Sequence, residues 1–246
     1  MRNIRLLIQY EGTRYQGWQR LENTDNTVQG RLENVISQMC GEKIELIGSG
    51  RTDAGVHAKG QVANFHTHSH MSIRDMLCYM NQYLPQDIAV VQIREAGERF
   101  HSRLNAVGKC YRYQVLNSAI PDVFLRRYAL EHPGHLDVEA MKKAAGYLEG
   151  EHDFQAYTSA KKSKKSTVRR IDRIQITGEG SLLTFSFQGN GFLYHMVRIL
   201  MGTLLEVGEG KRTPESVKTV LEGKVREQAG PLVPAKGLCL EEVYYQ

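Results

Sequence analysis

Alternating apolar and polar residues near the start of the chain predict a β-strand over residues 3–9, because Ile4, Leu6 and Ile8 then share one face. A helical spacing follows Thr27, a residue type that favours the N-cap position. The apolar positions of this predicted helix are Val28, Leu32, Val35, Ile36 and Met39. The first forty residues therefore predict a strand followed by an amphipathic helix.

Four further elements complete the first half. Short strands are predicted over residues 44–47, 61–67 and 88–93. Ser72 with Asp75 resembles a capping box, so a second helix is predicted after Ser72. The order of elements in the first hundred residues is thus β-α-β-β-α-β.

The second half repeats this order with one added helix. Its predicted elements are a strand over 109–116, a helix capped by Asp137, strands over 168–177 and 182–188, a helix over 192–207, a polar helix after Thr213-Pro214 and a strand over 238–244. Such units are ferredoxin-like, or split βαβ, folds. We therefore predict an α+β protein of two ferredoxin-like halves with antiparallel sheets, residues 1–107 and 108–246, and a catalytic cleft between the halves.

Composition narrows the class of protein without naming a function. The 246 residues are 41% hydrophobic and 24% charged, which is typical of a globular protein. No apolar run approaches the roughly 20 residues of a membrane-spanning helix, and no signal peptide is evident. The four cysteines are far apart and form no Cys-x-x-Cys pair. These features predict a cytoplasmic protein without a disulfide framework or zinc site.

Residues 48–58 form a glycine-flanked loop that presents Arg51 and Asp53 between two predicted strands. The glycine spacing does not match a dinucleotide-binding motif. One interpretation is an Asx-type turn in which Asp53 binds backbone N–H groups. The other is a carboxylate that Arg51 keeps ionised for use as a nucleophile or base. The residues alone leave both open.

Two later segments carry candidate functional side chains. Tyr111 and Tyr113 share one face of a predicted strand, where they could stack on bases or pack against a neighbouring strand. Arg198 lies on a mostly apolar helix, so it either finds an acidic or phosphate partner or extends to the surface.

A basic stretch indicates contact with phosphates. Its positive residues are Lys161, Lys162, Lys164, Lys165, Arg169 and Arg170, and no acidic residue interrupts it. Such a stretch is either a solvated loop or a contact with a nucleic-acid backbone. The net charge of +5 agrees with a nucleic-acid partner but is too small to establish one.

These segments together resemble the tRNA pseudouridine synthase A family over nearly the whole chain. The matching runs are residues 10–13, 15–20, 27–30, 50–58, 60–62, 111–113, 152–154 and 191–198. The most specific run is Arg51-Thr52-Asp53-Ala54-Gly55-Val56-His57. Leu21 and Tyr157 depart from the family pattern, which usually has Gln and Phe there, but neither is a proposed catalytic group.

The resemblance implies isomerisation of uridine to pseudouridine at positions 38, 39 and 40 of the tRNA anticodon stem-loop, without cofactor or metal. It implies that Asp53 is the essential carboxylate, without deciding between attack on the base, attack on the sugar and removal of a sugar proton. It further implies substrate-binding roles for Tyr111, Arg51, Arg198 and either Leu238 or Leu240, of which we select Leu240. A homodimer that binds tRNA is also implied.

Two other classes of protein compete with this interpretation. A non-catalytic RNA-binding protein built from tandem modules resembling RNA-recognition motifs would explain the basic bias and the two tyrosines, but not the loop that holds Arg51 and Asp53. A hydrolase of the glycosidase type would need two facing carboxylates, and only Asp53 is convincing.

Overall fold

The computed structural model describes residues 1–160 and 166–246. The chain forms two compact units. The first comprises Met1–Val107 together with Cys239–Gln246, and the second comprises Gly108–Leu238. The sequence analysis had placed residues 239–246 in the second half, whereas they group with the first.

The first unit has the predicted β-α-β-β-α-β order. Its elements are β1 (Arg2–Tyr10), α1 (Val28–Cys40), β2 (Ile47–Gly48), β3 (His57–Thr67), α2 (Ile73–Tyr83) and β4 (Ile88–Ala96). The strands follow the order β4-β1-β3-β2, and every pairing among these four is antiparallel. This half is the predicted ferredoxin-like unit.

The helices begin where the sequence predicted caps. The side chain of Thr27 accepts a hydrogen bond from Gly30 N, and that of Ser72 accepts one from Asp75 N. These bonds satisfy backbone N–H groups that otherwise lack partners in a first helical turn. Gly41 ends α1 in the left-handed conformation, with φ of 68°.

The alternation along β1 separates the core from a second face of the sheet. Ile4, Leu6 and Ile8 are fully buried, whereas Arg5 and Leu7 are half-buried. Since successive side chains in a strand point to opposite faces, the buried residues form one wall of the core and the others line the opposite face.

The last strand, β10 (Leu238–Tyr245), completes the first unit. It pairs with β3 in parallel, with Cys239 opposite His57 and Leu240 opposite Ala58. A side chain at Gly60 could not be accommodated, because its Cβ would lie 2.2 Å from the carbonyl oxygen of Glu241. This long-range pairing explains why the final residues belong with the first unit.

The second unit is also α+β. Its elements are β5 (Ala106–Leu116), β6 (Leu130–Glu131), α3 (Val138–Gly146), β7 (Gly150–Asp153), β8 (Val168–Glu179), β9 (Leu182–Gly189), α4 (Met196–Gly208) and α5 (Ser216–Gly223). The sheet order is β5-β9-β8-β7, which is antiparallel throughout, and β6 adds to β5 in parallel. The predicted α+β class is therefore confirmed.

Two details of the second unit differ from the sequence prediction. The helix predicted from residue 192 begins at Met196, because His195 adopts the left-handed conformation with φ of 64° and cannot continue a helix. Strand β7 was not predicted, since four residues are too few for an alternating pattern to emerge. Among the described residues, no helix combines the length and apolar character needed to cross a membrane.

The contacts of Glu42 with the end of β3 can be tested through the titration of its carboxyl group. Its carboxylate accepts hydrogen bonds from the Thr67 hydroxyl and from the backbone and ring of His68. These bonds, foremost that from Thr67, lower the pKa of Glu42 to about 2. A carboxyl whose folded pKa lies below its unfolded pKa stabilises the fold above the unfolded value, and this stabilisation is lost as pH falls towards the folded value.

We expect Glu42→Gln to reduce the free energy of unfolding near pH 6, and the gap from wild type to narrow as pH falls from about 4.5 towards 2. Urea unfolding at a series of pH values measures this gap. Glu45→Gln, at an exposed position of the same connection, is the control and should show a smaller gap. A wild-type to Glu42→Gln gap that does not change with pH would contradict the assignment.

Candidate active site

The loop that carries Asp53 joins β2 to β3 and is fixed at its start by Gln61. The Gln61 side-chain amide donates to Gly50 O over 3.0 Å and accepts from the Ser49 hydroxyl over 2.7 Å. Ser49 N donates to Val62 O over 2.8 Å. Because Ser49 and Gln61 are both buried, these bonds form away from competing water and hold the entry to the loop.

The residue just before Asp53 is held equally firmly. Thr52 O accepts a hydrogen bond from Trp18 N over 3.0 Å, and the Thr52 hydroxyl lies 2.8 Å from that of Tyr10. Val56 N donates to Asp53 O over 3.2 Å, which closes the turn that follows. The backbone is thus constrained on both sides of Asp53, whose side chain is half-buried.

A glycine turn after β1 packs directly on the exit of the loop. Gly12 lies so close to Val56 that a Cβ at Gly12 would be 1.9 Å from the Val56 carbonyl oxygen. Gly12 N donates to Nδ1 of the buried His57 over 3.0 Å. The His57 ring therefore links the exit of the loop to the turn after β1. The sequence analysis did not identify His57 as a positioning group, although it lies within the most specific motif.

Arg51 is exposed and forms no ion pair with Asp53 within the described residues. The hypothesis that Arg51 holds the Asp53 carboxylate ionised therefore gains no support from this geometry. An exposed guanidinium on the same loop remains able to meet a substrate.

Tyr111 and Tyr113, which share one face of β5, occupy different environments. Tyr113 is fully buried and its hydroxyl donates to Pro234 O over 2.8 Å, so it belongs to the core. Burial raises the pKa of Tyr113 above its ordinary value. Tyr111 is 9% exposed, and its ring meets that of Phe192 edge to face with centroids 5.3 Å apart. Only Tyr111 remains a candidate for contact with a substrate.

Arg198 lies in the first turn of α4 and is half-buried. Its Nε donates to Val233 O over 2.8 Å, a contact that fixes the orientation of the guanidinium. His195 immediately precedes the helix in its left-handed conformation, and its ring stacks on Tyr194 at 3.7 Å. A backbone strained in this way often marks a functional segment.

The last strand provides both leucines considered for an apolar wall. Leu238 and Leu240 are both buried. Leu240 pairs with Ala58, five residues after Asp53 on the same unit. This register does not itself select Leu240 over Leu238, because β10 runs parallel to β3 and Leu240 lies further from the loop than Cys239 does.

The basic stretch is only partly described. Lys161, Lys162, Lys164 and Lys165 lie outside the described residues. Arg169 donates to Ser166 O and Val168 O, and burial lowers its pKa from the ordinary value. Arg170 forms an ion pair with Asp172, with 2.7 Å between Nε and Oδ1. Both arginines are therefore engaged within the chain.

In the described parts of the chain, no group of three or more His, Cys, Asp or Glu side chains is arranged to hold a metal ion. His68, which follows β3, lies 3.1 Å from a carboxylate oxygen of Glu42.

Comparison with known proteins gives the family to which this chain belongs. A family model described as tRNA pseudouridine synthase matches residues 6–105 and 144–246. This chain belongs to the tRNA pseudouridine synthase family. The resemblance inferred from the motifs is thereby confirmed, and nothing supports the alternative of a non-catalytic RNA-binding protein.

Curated relatives match along their entire length. A protein named tRNA pseudouridine synthase A from Bacillus sp. (strain KSM-64) is 47% identical over 100% of both chains. One named tRNA pseudouridine synthase A 2 from Bacillus cereus (strain ZK / E33L) is 45% identical over the same extent. A tRNA pseudouridine synthase A from Acetivibrio thermocellus is 44% identical, again over 100% of both chains.

The contact between Gly12 and Val56 provides a test of how the loop is held. We expect Gly12→Ala to lower the free energy of unfolding by about 1–3 kcal/mol, because a backbone oxygen occupies the space that the methyl group needs. Chemical unfolding measures the change. Gly146→Ala adds a methyl group where nothing lies within 4 Å, so it should leave stability unchanged or slightly raised. Equal stability of the two variants would refute the close approach.

Proposed function

We propose that this chain isomerises uridine to pseudouridine in tRNA, at positions 38, 39 and 40 of the anticodon stem-loop. The observation that carries the proposal is Asp53, a half-buried carboxylate on a loop held at Ser49, Thr52 and Val56 in a chain of this family. A catalytic carboxylate needs such fixed placement, because small displacements of a reacting group cost large factors in rate.

The reaction requires a nucleotide outside its stack. Extrusion of a base from a stem costs a few kcal/mol, which contacts with the protein must offset. The C1′–N1 bond of the nucleotide breaks, the uracil turns while bound, and a C1′–C5 bond forms. The proton lost from C5 is balanced by one gained at N1, so no oxidant or reductant is consumed. In this scheme Asp53 is the essential catalytic residue.

The other side chains have binding roles in this proposal. Tyr111 stacks on the uracil, which suits a tyrosine whose ring is almost buried and fixed by Phe192. Arg51 is exposed on the Asp53 loop, as a side chain that enters the RNA beside the flipped nucleotide must be. Leu240 supplies an apolar wall beside β3.

Arg198 has a substrate-binding role in this proposal. The hydrogen bond from its Nε to Val233 O supports this role, because a guanidinium already fixed in orientation loses less freedom on pairing. The protein acts in the cytoplasm as a homodimer in which one tRNA contacts both subunits. The basic residues of the stretch from Lys161 to Arg170 bind the phosphate backbone of that tRNA.

We expect Asp53→Asn to abolish tritium release from tRNA labelled at uracil C5 while tRNA affinity changes little. The amide keeps the size of the carboxyl group but cannot act as a nucleophile or base. Asp25→Asn, at an exposed position, is the control and should release tritium at the wild-type rate. Tritium release by Asp53→Asn at that rate would refute the catalytic assignment.

We expect Lys164→Ala with Lys165→Ala to weaken tRNA binding and to reduce the slope of log affinity against log salt by roughly 1–2, since each lost phosphate contact removes a share of counterion release. Filter binding at several salt concentrations measures the slope. The control removes two charges at exposed positions of the first unit, Lys43→Ala with Arg74→Ala. Indistinguishable slopes for the two pairs would exclude the stretch as a contact.

A further inference from the structure

A pocket of about 330 Å³ lies on the sheet of the first unit. Leu7, Val62 and Val243 give it apolar walls, and Arg5, Gln92 and Arg94 supply hydrogen-bond donors. Its residues come from β1, β3, β4 and β10, so the pocket is built from regular sheet and not from loops. None of these residues has a role in the function proposed above.

Two arginines face each other across strands in this pocket. The register of β1 and β4 places Arg5 directly opposite Arg94. Like charges at directly opposite positions of an antiparallel pair are destabilising. Burial, and then the positive charge of Arg94, lower the pKa of Arg5 from its ordinary value. An arginine stays protonated near neutral pH, so the sheet carries this repulsion in the free protein.

Aromatic rings hold Arg5 in a defined orientation. Its guanidinium carbon lies 4.3 Å from the ring centroid of Tyr245 and 5.1 Å from that of Phe100. Tyr245 is itself fixed, because its hydroxyl donates to Ser102 O over 2.6 Å. These two ring contacts restrict the freedom of the Arg5 guanidinium.

These donors have no acceptor in the part of the chain that the structure describes. Neither Arg5 nor Arg94 forms a hydrogen bond or ion pair with any of residues 1–160 or 166–246. By contrast, Arg2 on the same strand pairs with Glu95 and also donates to two backbone carbonyls. Arg5 is thus a set of donors held beside two rings, and the exposed Arg94 lies directly opposite it in the sheet.

One carboxylate of the pocket, that of Glu241, lies away from the two arginines. Glu241 follows Leu240, which pairs with Ala58, and lies 4.0 Å from Lys59. Arg5, however, pairs with Asn64 on β3. Five residues of strand separate Lys59 from Asn64, roughly 16 Å at the rise of a β-strand. Lys59 therefore offsets Glu241, and the lining as a whole carries three cationic side chains, Arg5, Lys59 and Arg94, against the two carboxylates Glu241 and Glu242.

We propose that this pocket binds a phosphate group between Arg5 and Arg94. Two planar guanidinium groups match the tetrahedral oxygens of phosphate, to which arginine can donate two parallel hydrogen bonds. A bound anion also offsets the repulsion between the arginines. The apolar walls at Leu7 and Val62 accommodate the sugar or base attached to such a phosphate. The phosphate comes either from the tRNA backbone, a source that depends on the function proposed above, or from a free nucleotide or inorganic phosphate.

The first arm of the test uses inorganic phosphate. Thermal unfolding is followed during titration with phosphate at constant ionic strength, with chloride as the balancing anion. Wild type should be stabilised by phosphate, and Arg94→Gln should lose affinity about tenfold or more. Arg74→Gln removes one charge from an exposed position of α2 and should respond as wild type does. The second variant is Arg5→Lys, because Arg5 contacts two rings and lysine keeps the positive charge. Lysine lacks the planar guanidinium that can donate two parallel hydrogen bonds.

The second arm measures tRNA affinity of the same variants against salt. A weaker affinity and a slope reduced by about 1 in Arg94→Gln, but not in Arg74→Gln, assigns the phosphate to the tRNA backbone. An unchanged slope with lost phosphate stabilisation assigns it to a free phosphate compound. If Arg94→Gln matches wild type in both arms, the proposal is overturned. Pseudouridine formation by wild type is scored separately, so failure of the pocket and failure of the proposed function remain distinguishable.

Discussion

The contact between the turn at Gly12 and the backbone at Val56 is the constraint on which the site depends. It presses the segment after β1 against the exit of the Asp53 loop, where Gly12 N also binds the His57 ring. With the hydrogen bonds at Thr52, this contact fixes the backbone on both sides of one carboxylate. The residues of the motif around Asp53 thus serve the packing of the loop as well as its proposed chemistry.

Local signals made much of the fold predictable from the sequence. Thr27, Ser72 and Asp137 each cap the helix that their position predicted, because a cap depends on a few neighbouring residues. The helix predicted from residue 192 was wrong in its first turn, since the left-handed backbone at His195 leaves no trace in apolar spacing. The alternation of apolar and polar residues predicted β1, but it could not predict which strands pair with β1 in the sheet.

The candidate site was predictable in part. The motif located Asp53, but the support it receives from Trp18, Tyr10 and Gln61 spans up to 42 residues of sequence and follows no period. The opposition of Arg5 and Arg94 could not be predicted either. It depends on an irregular register of β1 and β4 between Leu7 and Ile8, which only the folded sheet reveals. Long-range pairing therefore accounts for most of what the sequence left undetermined.

The pairing of β10 with β3 has a consequence for when the first unit can finish folding during synthesis. Residues 239–246 leave the ribosome after the rest of the first unit, yet they cover the His57–Ala58 end of β3, next to the loop that carries Asp53. A nascent chain therefore carries an incomplete first unit, with an unpaired strand edge, until β10 has emerged. The loop that carries Asp53 lies beside a sheet lacking one strand until then, and a product truncated before β10 would stay in that state.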